Sequence, residues 1–306
     1  NLLTIRDNYV NDRNKQKLDD NTTINLYEVY GDVNSVDNSL LATLRTVFSP
    51  KTVNELKLQH LYTSEESTPN EQLSQNNIPR AIIQNIPSEV NGKTVYTNIQ
   101  LGGQRYSPEN FYNNVVHLVD NLYYNTKRVN YTFGMDMMYS NMNSRYGSEA
   151  NGRFYYLGLD AFENNQPYRY AREIYMTKDE RVKQDIVNSG VYAQLQTKLF
   201  KGFEVMAGLR LDYANYLNAG AFNQTVFNEL GLRTDNKLGT FQVQPRMQIA
   251  WDINEKHTDI LRMGAGIFAS DINNYAMINN MVFDGTRTAS VDVQGAAVPT
   301  ANFIGY

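Results

Sequence analysis

The sequence predicts an all-β fold, an antiparallel β-barrel that crosses a membrane, and three observations support this prediction. Hydrophobic and polar residues alternate with a period of two over several long segments, whereas helical periodicity is scarce. These segments run for about 9 to 13 residues, close to the length that a tilted strand needs to cross the hydrocarbon core. Their connections are short and long in strict alternation, as in barrels with turns on one side of the membrane and loops on the other.

Five segments carry the clearest alternation. In the segment 203–213, Phe203 and Leu209 lie on one face, whereas Glu204 and Arg210 lie on the other. None of the residues on the apolar faces of the five segments is charged, although Asp, Glu, Lys and Arg make up 20% of the chain. One face of each predicted strand therefore excludes charge. The five segments are 129–139, 191–199, 203–213, 241–253 and 261–269.

Further segments alternate less regularly. In one of them, Asp120 interrupts one face and His117 and Asn121 interrupt the other, and a β-bulge would account for both interruptions. These weaker strands raise the predicted total to about nine. They are 2–10, 40–48, 53–63 and 115–124.

The connections predict how the sheet is oriented. In an antiparallel sheet of sequential strands, successive connections lie at opposite ends of the sheet. Because short and long connections alternate along this chain, all the short turns should lie at one end and all the long loops at the other. We expect the turns on the periplasmic side and the loops, rich in Asn, Ser, Gly and Tyr, on the extracellular side. The short turns are 49–52, 125–128, 200–202 and 254–258, and the long loops are 64–113, 141–188 and 214–240.

Aromatic residues gather near the predicted strand ends. Rings at these positions suit the two membrane interfaces, where a side chain is half in lipid and half in water. We therefore expect aromatic girdles at the ends of the strands. The residues concerned are Phe48, Tyr62, Tyr123, Tyr124, Tyr139, Phe203, Tyr213, Phe241 and Trp251.

A soluble β-barrel or β-sandwich is the alternative fold, because its strands also alternate, with the apolar face turned inward. Two features argue against it. Several polar faces carry many charges, and loops of about 50 residues are uncommon in compact soluble domains. No stretch approaches the 18 consecutive apolar residues of a membrane helix, so strands are the predicted means of crossing.

Composition excludes several functions. The 306 residues include no cysteine, which excludes disulfides, thiol catalysis and cysteine metal sites. The net charge of −4 provides no general attraction to nucleic acid, and we expect no nucleic-acid partner.

No set of residues predicts catalysis. His60 and His117 lie in predicted strands and His257 lies in a turn, where packing or exposure to solvent is the expected role. No nucleophile-elbow motif accompanies the serines. Residues 32–37 space oxygen ligands as a Ca²⁺ loop could, but they lack the full EF-hand pattern, and an ordinary turn is expected. We therefore predict no enzyme, no cofactor and no metal site.

Charged residues on the polar faces are the candidate site. In a barrel these faces look into the lumen, because a charge facing lipid at the midplane costs about 2 to 4 kcal/mol. Charges of both signs could form a structural network on the inner wall, hold a plug, or line a wet passage. The predicted lumen-facing residues are Asp136, Lys198, Glu204, Arg210, Asp212, Arg246, Asp252 and Arg262.

Several of these segments resemble a known family. Residues 207–213, AGLRLDY, resemble the "GLRYD" strand of TonB-dependent outer-membrane receptors, and 191–194, VYAQ, resemble its partner strand. The remaining motifs resemble the Oar-like subgroup, whose members carry a carboxypeptidase-regulatory-like domain. They are 244–252 with 261–268, Asn54 to Leu56, and the short helix at 157–162 before Gln166 and Pro167.

The resemblance covers about residues 40 to 269 in the family's order. It implies a 22-stranded barrel that encloses an N-terminal plug and depends on the TonB complex of the inner membrane. Residues 1–306 would then be a partial barrel domain, with the plug and the C-terminal strands absent from this chain. The composition, rich in Asn, Lys and Tyr, and the Oar-like motifs are typical of Bacteroidetes.

Three functions remain open on the sequence. The first is energised uptake of a bulky nutrient or peptide-like ligand by an outer-membrane transporter coupled to TonB. The second is a structural or interaction barrel, a subunit of an outer-membrane complex that contacts a surface lipoprotein or another subunit. The third is a barrel enzyme, which the lack of a catalytic triad argues against. In each case the partner of the apolar face is the lipid of the bacterial outer membrane.

Overall fold

The fold consists of two β-sheets that differ in length and in surroundings. The computed structural model describes residues 1–16, 23–71, 73, 77–270 and 274–303. Its strands, numbered in chain order, are β1 (Leu2–Gln16), β2 (Thr23–Asn25), β3 (Gly31–Ser49), β4 (Thr52–Thr68), β5 (Arg80–Val90), β6 (Lys93–Gly102), β7 (Glu109–Asn125), β8 (Val129–Arg145), β9 (Arg153–Leu157), β10 (Arg169–Tyr175), β11 (Arg181–Phe200), β12 (Phe203–Tyr216), β13 (Gly239–Asp252), β14 (Ile260–Gly266) and β15 (Thr288–Gln294). Its α-helices are α1 (Gly158–Glu163), α2 (Gln224–Leu230) and α3 (Asn274–Val282).

The larger sheet contains nine strands in the order β1-β3-β4-β7-β8-β11-β12-β13-β14. Every neighbouring pair is antiparallel. All the strands predicted from alternation lie in this sheet, and the four predicted short turns join neighbours at one end. Within the described residues, β1 and β14 are its two edges. The prediction of an antiparallel all-β fold is confirmed.

Most strands of this sheet extend beyond their predicted limits at the loop end. Strand β11 begins at Arg181 rather than at 191, and β3 begins at Gly31 and includes the residues 32–37 that were expected to form a turn. The alternation marks only the part of a strand with one apolar face. Beyond that part apolar side chains no longer keep to one face, since Val182 of β11 packs against the loop segments, so the period of two disappears although the ladder continues. Strand β14 is the exception and ends at Gly266 rather than at 269.

Apolar side chains on one face of the larger sheet are exposed, with none of the described residues packed over them as a second layer. Leu209, Val243 and Phe133 lie on three different strands and are 46%, 48% and 47% exposed. A continuous surface of such side chains is incompatible with the inward apolar face of a soluble barrel and matches a surface in contact with lipid. Ten residue steps from Phe203 to Tyr213 span about 24 Å at a tilt near 45°, close to the apolar band of outer-membrane barrels.

Aromatic rings cluster where the short turns meet the apolar face. The ring of Phe203 stacks on Phe200 with centroids 4.6 Å apart and meets Trp251 edge to face at 6.2 Å. Tyr124 lies on the same apolar face, opposite Tyr131 of β8. Tyr123, its neighbour, lies on the polar face, because successive residues of a strand point to opposite sides. The expected girdle is therefore present at this end, without Tyr123.

The smaller sheet is made from the long loops, which the sequence did not predict to be ordered in this way. Its six strands have the order β15-β10-β9-β5-β6-β2 and come from three connections of the larger sheet and from the segment after β14. Two of its ladders, β5 with β9 and β2 with β6, are parallel. The helix α1 follows β9, where the resemblance implied a short helix.

Two hydrophobic clusters hold the loop segments in place. Under the smaller sheet, Phe154 and Tyr156 of β9 pack with Ala81 of β5 and are fully buried. Beside the larger sheet, Ile278 of α3 packs against Val182, near the start of β11. Among the described residues, no helix is both long enough and apolar enough to cross a membrane. The long connections thus form a folded layer at the loop end of the barrel wall.

Candidate functional site

Polar and charged side chains from four strands meet on the polar face of the larger sheet. Arg210 of β12 donates to Asp212 of its own strand at 2.8 Å and to Asp136 of β8 at 3.3 Å. Asp136 also bonds to His117 of β7 at 2.8 Å. The Nε2 amide of Gln244 on β13 donates to the Asp212 carboxylate. We call these five residues the polar-face cluster.

Two glycines make room for this cluster. A Cβ on Gly190 of β11 would overlap the Asp212 carboxylate and lie 2.8 Å from the Arg210 guanidinium, so the ion pair lies directly on the backbone of the strand between β8 and β12. A Cβ on Gly134 would likewise overlap the ring of Tyr192. A side chain at either glycine would therefore displace these groups into the interior.

The aromatic ring of Tyr192 borders the polar-face cluster. Its ring lies 5.3 Å from the Arg210 guanidinium, in the arrangement of a cation–π contact. Its hydroxyl donates to the side-chain oxygen of Asn121 on β7. Arg210 is thus held by two carboxylates and a ring, which fixes its orientation more tightly than a single surface ion pair would.

The polar-face cluster borders a polar hollow of about 550 Å³. Its lining includes the cluster itself, the backbone of Gly190, and Gln242 and Arg246 of β13. These groups present donors and acceptors of both charge signs, so the surface can bind polar or zwitterionic groups. Within the part of the chain that the structure describes, no three His, Asp or Glu side chains lie close enough to bind a metal ion.

A second hollow lies nearer the edge strand β14, with methionine as well as polar side chains in its lining. Arg246 of β13 and Arg262 of β14 line a hollow together with Gln194 and Gln248. The guanidinium of Arg246 stands 5.4 Å from the ring centroid of Phe268. Among the described residues, neither arginine forms an ion pair with a carboxylate. We call Arg246 and Arg262 the arginine pair.

The remaining predicted residues lie closer to the short turns. Lys198 of β11 is directly opposite Glu204 of β12, and Glu204 accepts a hydrogen bond from the amide of Gln196. Asp252 accepts from the backbone N–H of His257 at 3.2 Å and pairs with its ring at 2.8 Å, so it orders the turn between β13 and β14. Neither of the two carboxylates reaches the polar-face cluster.

Of the eight residues predicted from the sequence, the structure brings three together as one network. They are Asp136, Arg210 and Asp212. Sequence reasoning missed the roles of His117, Tyr192 and Gln244. The predicted lumen-facing residues were restricted to charged side chains, which left out Tyr192 and Gln244, and His117 was interpreted as an interruption of the alternation. The hairpin register offers a signal for His117: counting back from the 125–128 turn places it on the same face as Asp136.

The two faces together define the class of protein. The antiparallel sheet has long strands, an apolar face without charge and an opposite face that carries charges. Its short turns lie at one end and its folded loops at the other. A bacterial outer-membrane β-barrel has these features. The family described as "Outer membrane beta barrel domain" matches residues 3–304, and the chain belongs to that family. The protein is therefore located in the outer membrane, with its polar face forming the inner wall.

Comparison with solved structures agrees with this assignment. The crystal structure of the outer membrane transporter YddB from Escherichia coli is similar to this chain, with a TM-score of 0.55 and 14% sequence identity. The similarity covers 94% of this chain and 32% of the transporter, so the chain spans about a third of that protein's length. At this identity the likeness shows a shared fold. No curated protein matches the chain in sequence.

Proposed function

We propose that the chain is part of the barrel wall of a TonB-dependent receptor of the Oar-like subgroup. Such a receptor would import a bulky nutrient or a peptide-like ligand through a plugged barrel of 22 strands in a Bacteroidetes-type organism. The plug and the segment that contacts the TonB complex would lie outside residues 1–306. The protein would act as a transporter without enzymatic activity.

The arginine pair is the observation that carries this proposal. Two guanidinium groups on an inner wall, with no carboxylate partner among the described residues, attract an anionic surface from inside the barrel. Acidic groups on a plug would supply such a surface. Charges of both signs in the polar-face cluster are compatible with the same view, because such groups can form ion pairs with a plug as well as with one another.

The width of the wall supports a filled interior. A closed barrel of eight strands is just filled by its own side chains, and larger barrels enclose a channel or a plug. The larger sheet already has nine strands, and its edges β1 and β14 do not pair with each other among the described residues. A barrel that contains this sheet therefore has room for a separate domain or for a large solute.

The decisive experiment compares two deletions in the organism that encodes the protein. One strain lacks the gene for this protein, and the other lacks the energising TonB protein. We expect both to lose uptake of the same nutrient, screened as growth on peptides, glycans and metal chelates as sole sources. Uptake that requires this protein but continues without TonB would exclude the proposed coupling.

A pair of variants tests the role of the wall. In the full-length receptor, the double variant Arg246→Gln and Arg262→Gln removes the arginine pair, and Lys201→Gln removes a cation from the turn between β11 and β12 as a control. If the pair holds a plug, the double variant should admit bulky antibiotics that the outer membrane normally excludes, and the control should not. Equal antibiotic resistance in the two would count against a plug at this site.

A structural or interaction barrel is the second candidate. The observation that favours it is the folded layer of long loops, which presents exposed large side chains such as Tyr96 and Tyr27 to the outside. A surface lipoprotein or another outer-membrane subunit would be the partner. Isolation of a stable complex from the outer membrane, together with unchanged uptake in the deletion strain, would favour this candidate over transport.

A further inference from the structure

Three arginines surround one buried carboxylate in the loop layer. Arg80 of β5 and Arg153 of β9 approach the same oxygen of Glu149, each at 2.5 Å, and Arg105 approaches it at 3.2 Å. Arg80 and Glu149 are both buried, whereas Arg105 and Arg153 keep part of their surface open to solvent. We call these four residues the Glu149 cluster.

The backbone fixes Glu149 in this position. Its φ of 57° lies in the left-handed region, and its N–H donates to the carbonyl of Arg105 at 2.9 Å. Its carbonyl accepts from the N–H of Gly152 at 3.0 Å and from that of Glu173 at 3.3 Å. The backbone of Glu149 is therefore held by three segments of the loop layer, which fixes the point from which its carboxylate reaches the arginines.

The cluster carries an excess of positive charge. Its three guanidinium groups face one carboxylate, so the four residues together carry two positive charges. Two further acids lie beside them: Glu173 lines the adjacent hollow, and the buried carboxyl of Glu109 interacts with Arg105. Burial lowers the pKa of the Arg80 guanidinium below its usual value, and the charges of Arg153 and Arg105 lower it further, whereas Glu149 raises it. An added anion would relieve this repulsion.

A hollow beside the cluster offers a place for that anion. Its volume is about 460 Å³, and Arg105, Arg153 and Ser148 are among the residues that line it. The Nε–H of Arg153 is buried and has no hydrogen-bond partner among the described residues. A buried donor without a partner calls for an ordered water or a bound ion, and a planar guanidinium suits an oxyanion.

We propose that this hollow is a binding site for a carboxylate or phosphate group of an extracellular solute. Arg105 and Arg153 would contact the anion directly, in competition with the Glu149 carboxylate with which they pair. Arg80, which is buried and does not line the hollow, would attract the anion through its charge without touching it. The site goes beyond the proposed transport function, because binding there requires neither TonB nor a plug and can be measured on the purified protein.

Calorimetry on the full-length protein in detergent tests the site with two probes at constant ionic strength. Inorganic phosphate represents one source of the anion, and N-acetylglycine represents a carboxylate. Saturable binding of either probe is the expected result and tells which chemistry the site prefers. Absence of binding by both probes at millimolar concentrations would overturn the proposal.

Three variants make the test specific. Arg105→Gln removes the most exposed guanidinium and should weaken binding about tenfold or more, the usual effect of losing a charge-assisted hydrogen bond. Arg169→Gln, an arginine of β10 that pairs with Asp292 outside the hollow, is the matched control and should bind as the parent does. Equal weakening in the two variants would show a general charge effect and would contradict a site.

The variant Glu149→Gln separates a binding role from a structural one. It removes the competing carboxylate, so it should bind phosphate more tightly than the parent, and phosphate should raise its midpoint of thermal unfolding by more than it raises that of the parent. A merely structural cluster would be destabilised by this change without any gain from phosphate. That result would sink the proposal.

Discussion

Arg210 of β12 reaches Asp136 of β8 across the intervening strand β11, with the Nη2 and Oδ2 atoms 3.3 Å apart. The contact exists because the residue of β11 that lies between them, Gly190, has no side chain. Side chains thereby join β8 and β12, which share no backbone ladder, across β11. In a wall whose outer face contacts only lipid, such links on the inner face help to set the curvature and rigidity of the sheet.

Replacement of Gly190 should break this link. In Gly190→Ala the new Cβ would overlap the Asp212 carboxylate, so Asp212 and Arg210 must both move. We expect a loss of about 0.5 to 1 kcal/mol in the free energy of unfolding, because the atoms that must move are the ends of two side chains beside an open hollow and the main cost is their weakened ion pair. Urea unfolding in lipid vesicles measures it. Gly264→Ala is the matched control, because its nearest neighbour would lie 3.4 Å away, and a similar loss there would contradict the steric explanation.

The coupling between Arg210 and Asp136 can be measured by a double-mutant cycle. Arg210→Met leaves two carboxylates without their shared cation, and Asp136→Asn removes one of these carboxylates. The double variant should therefore be more stable than the sum of the two single losses predicts, with a coupling of about 0.5 to 3 kcal/mol. A coupling of zero in vesicle unfolding experiments would mean that the contact contributes nothing to stability.

The sequence predicted the barrel wall well because the physical constraint there is simple. Each residue of the band, such as Leu195 or its neighbour Gln194, faces either lipid or the interior, and this choice appears directly as polar or apolar character. Register then follows from the short turns, which fix each hairpin. The grouping of Asp136 with Arg210 could not be predicted, since it depends on the pairing of strands separated by a long loop.

The loop layer was beyond prediction from the sequence for a related reason. Strand β9 has only five residues and forms a parallel ladder with β5, which lies more than 60 residues earlier in the chain. Short strands give too few alternating positions to stand out, and a parallel ladder between two loops leaves no hairpin signature. Glu149 illustrates the result: nothing near it in sequence indicates that Arg80 will be its partner.

The orientation of the wall is tested by adding the same charge to two adjacent residues of β11. Leu195→Arg places a cation in the middle of the lipid-facing band and should cost about 2 to 4 kcal/mol. Gln194→Arg places it on the inner wall, where the cost should be far smaller. Unfolding in vesicles compares the two. Equal losses would contradict the assignment of the apolar face to lipid.

Acid should loosen the edge strand β15 of the loop layer. Asp292 pairs with Arg169 of β10 at 2.5 Å, and this hydrogen bond holds the pKa of the Asp292 carboxyl below its usual 3.8. Because the folded pKa is lowered, the contribution of the pair is present above the unfolded pKa and is lost as the pH falls through the folded value.

Hydrogen exchange of residues 288–294 in the full-length protein should therefore be slow at pH 6 and faster, after correction for the intrinsic rates, at pH 3. The variant Asp292→Asn removes this group and should lose most of the pH dependence, while Glu173, which accepts a hydrogen bond from Ser290 of β15 at 2.7 Å, is kept in both proteins. The pair is exposed on the surface, so the effect should be confined to β15 and leave the strands of the barrel wall protected. Loosening of the wall at the same pH would instead point to a carboxylate elsewhere in the protein.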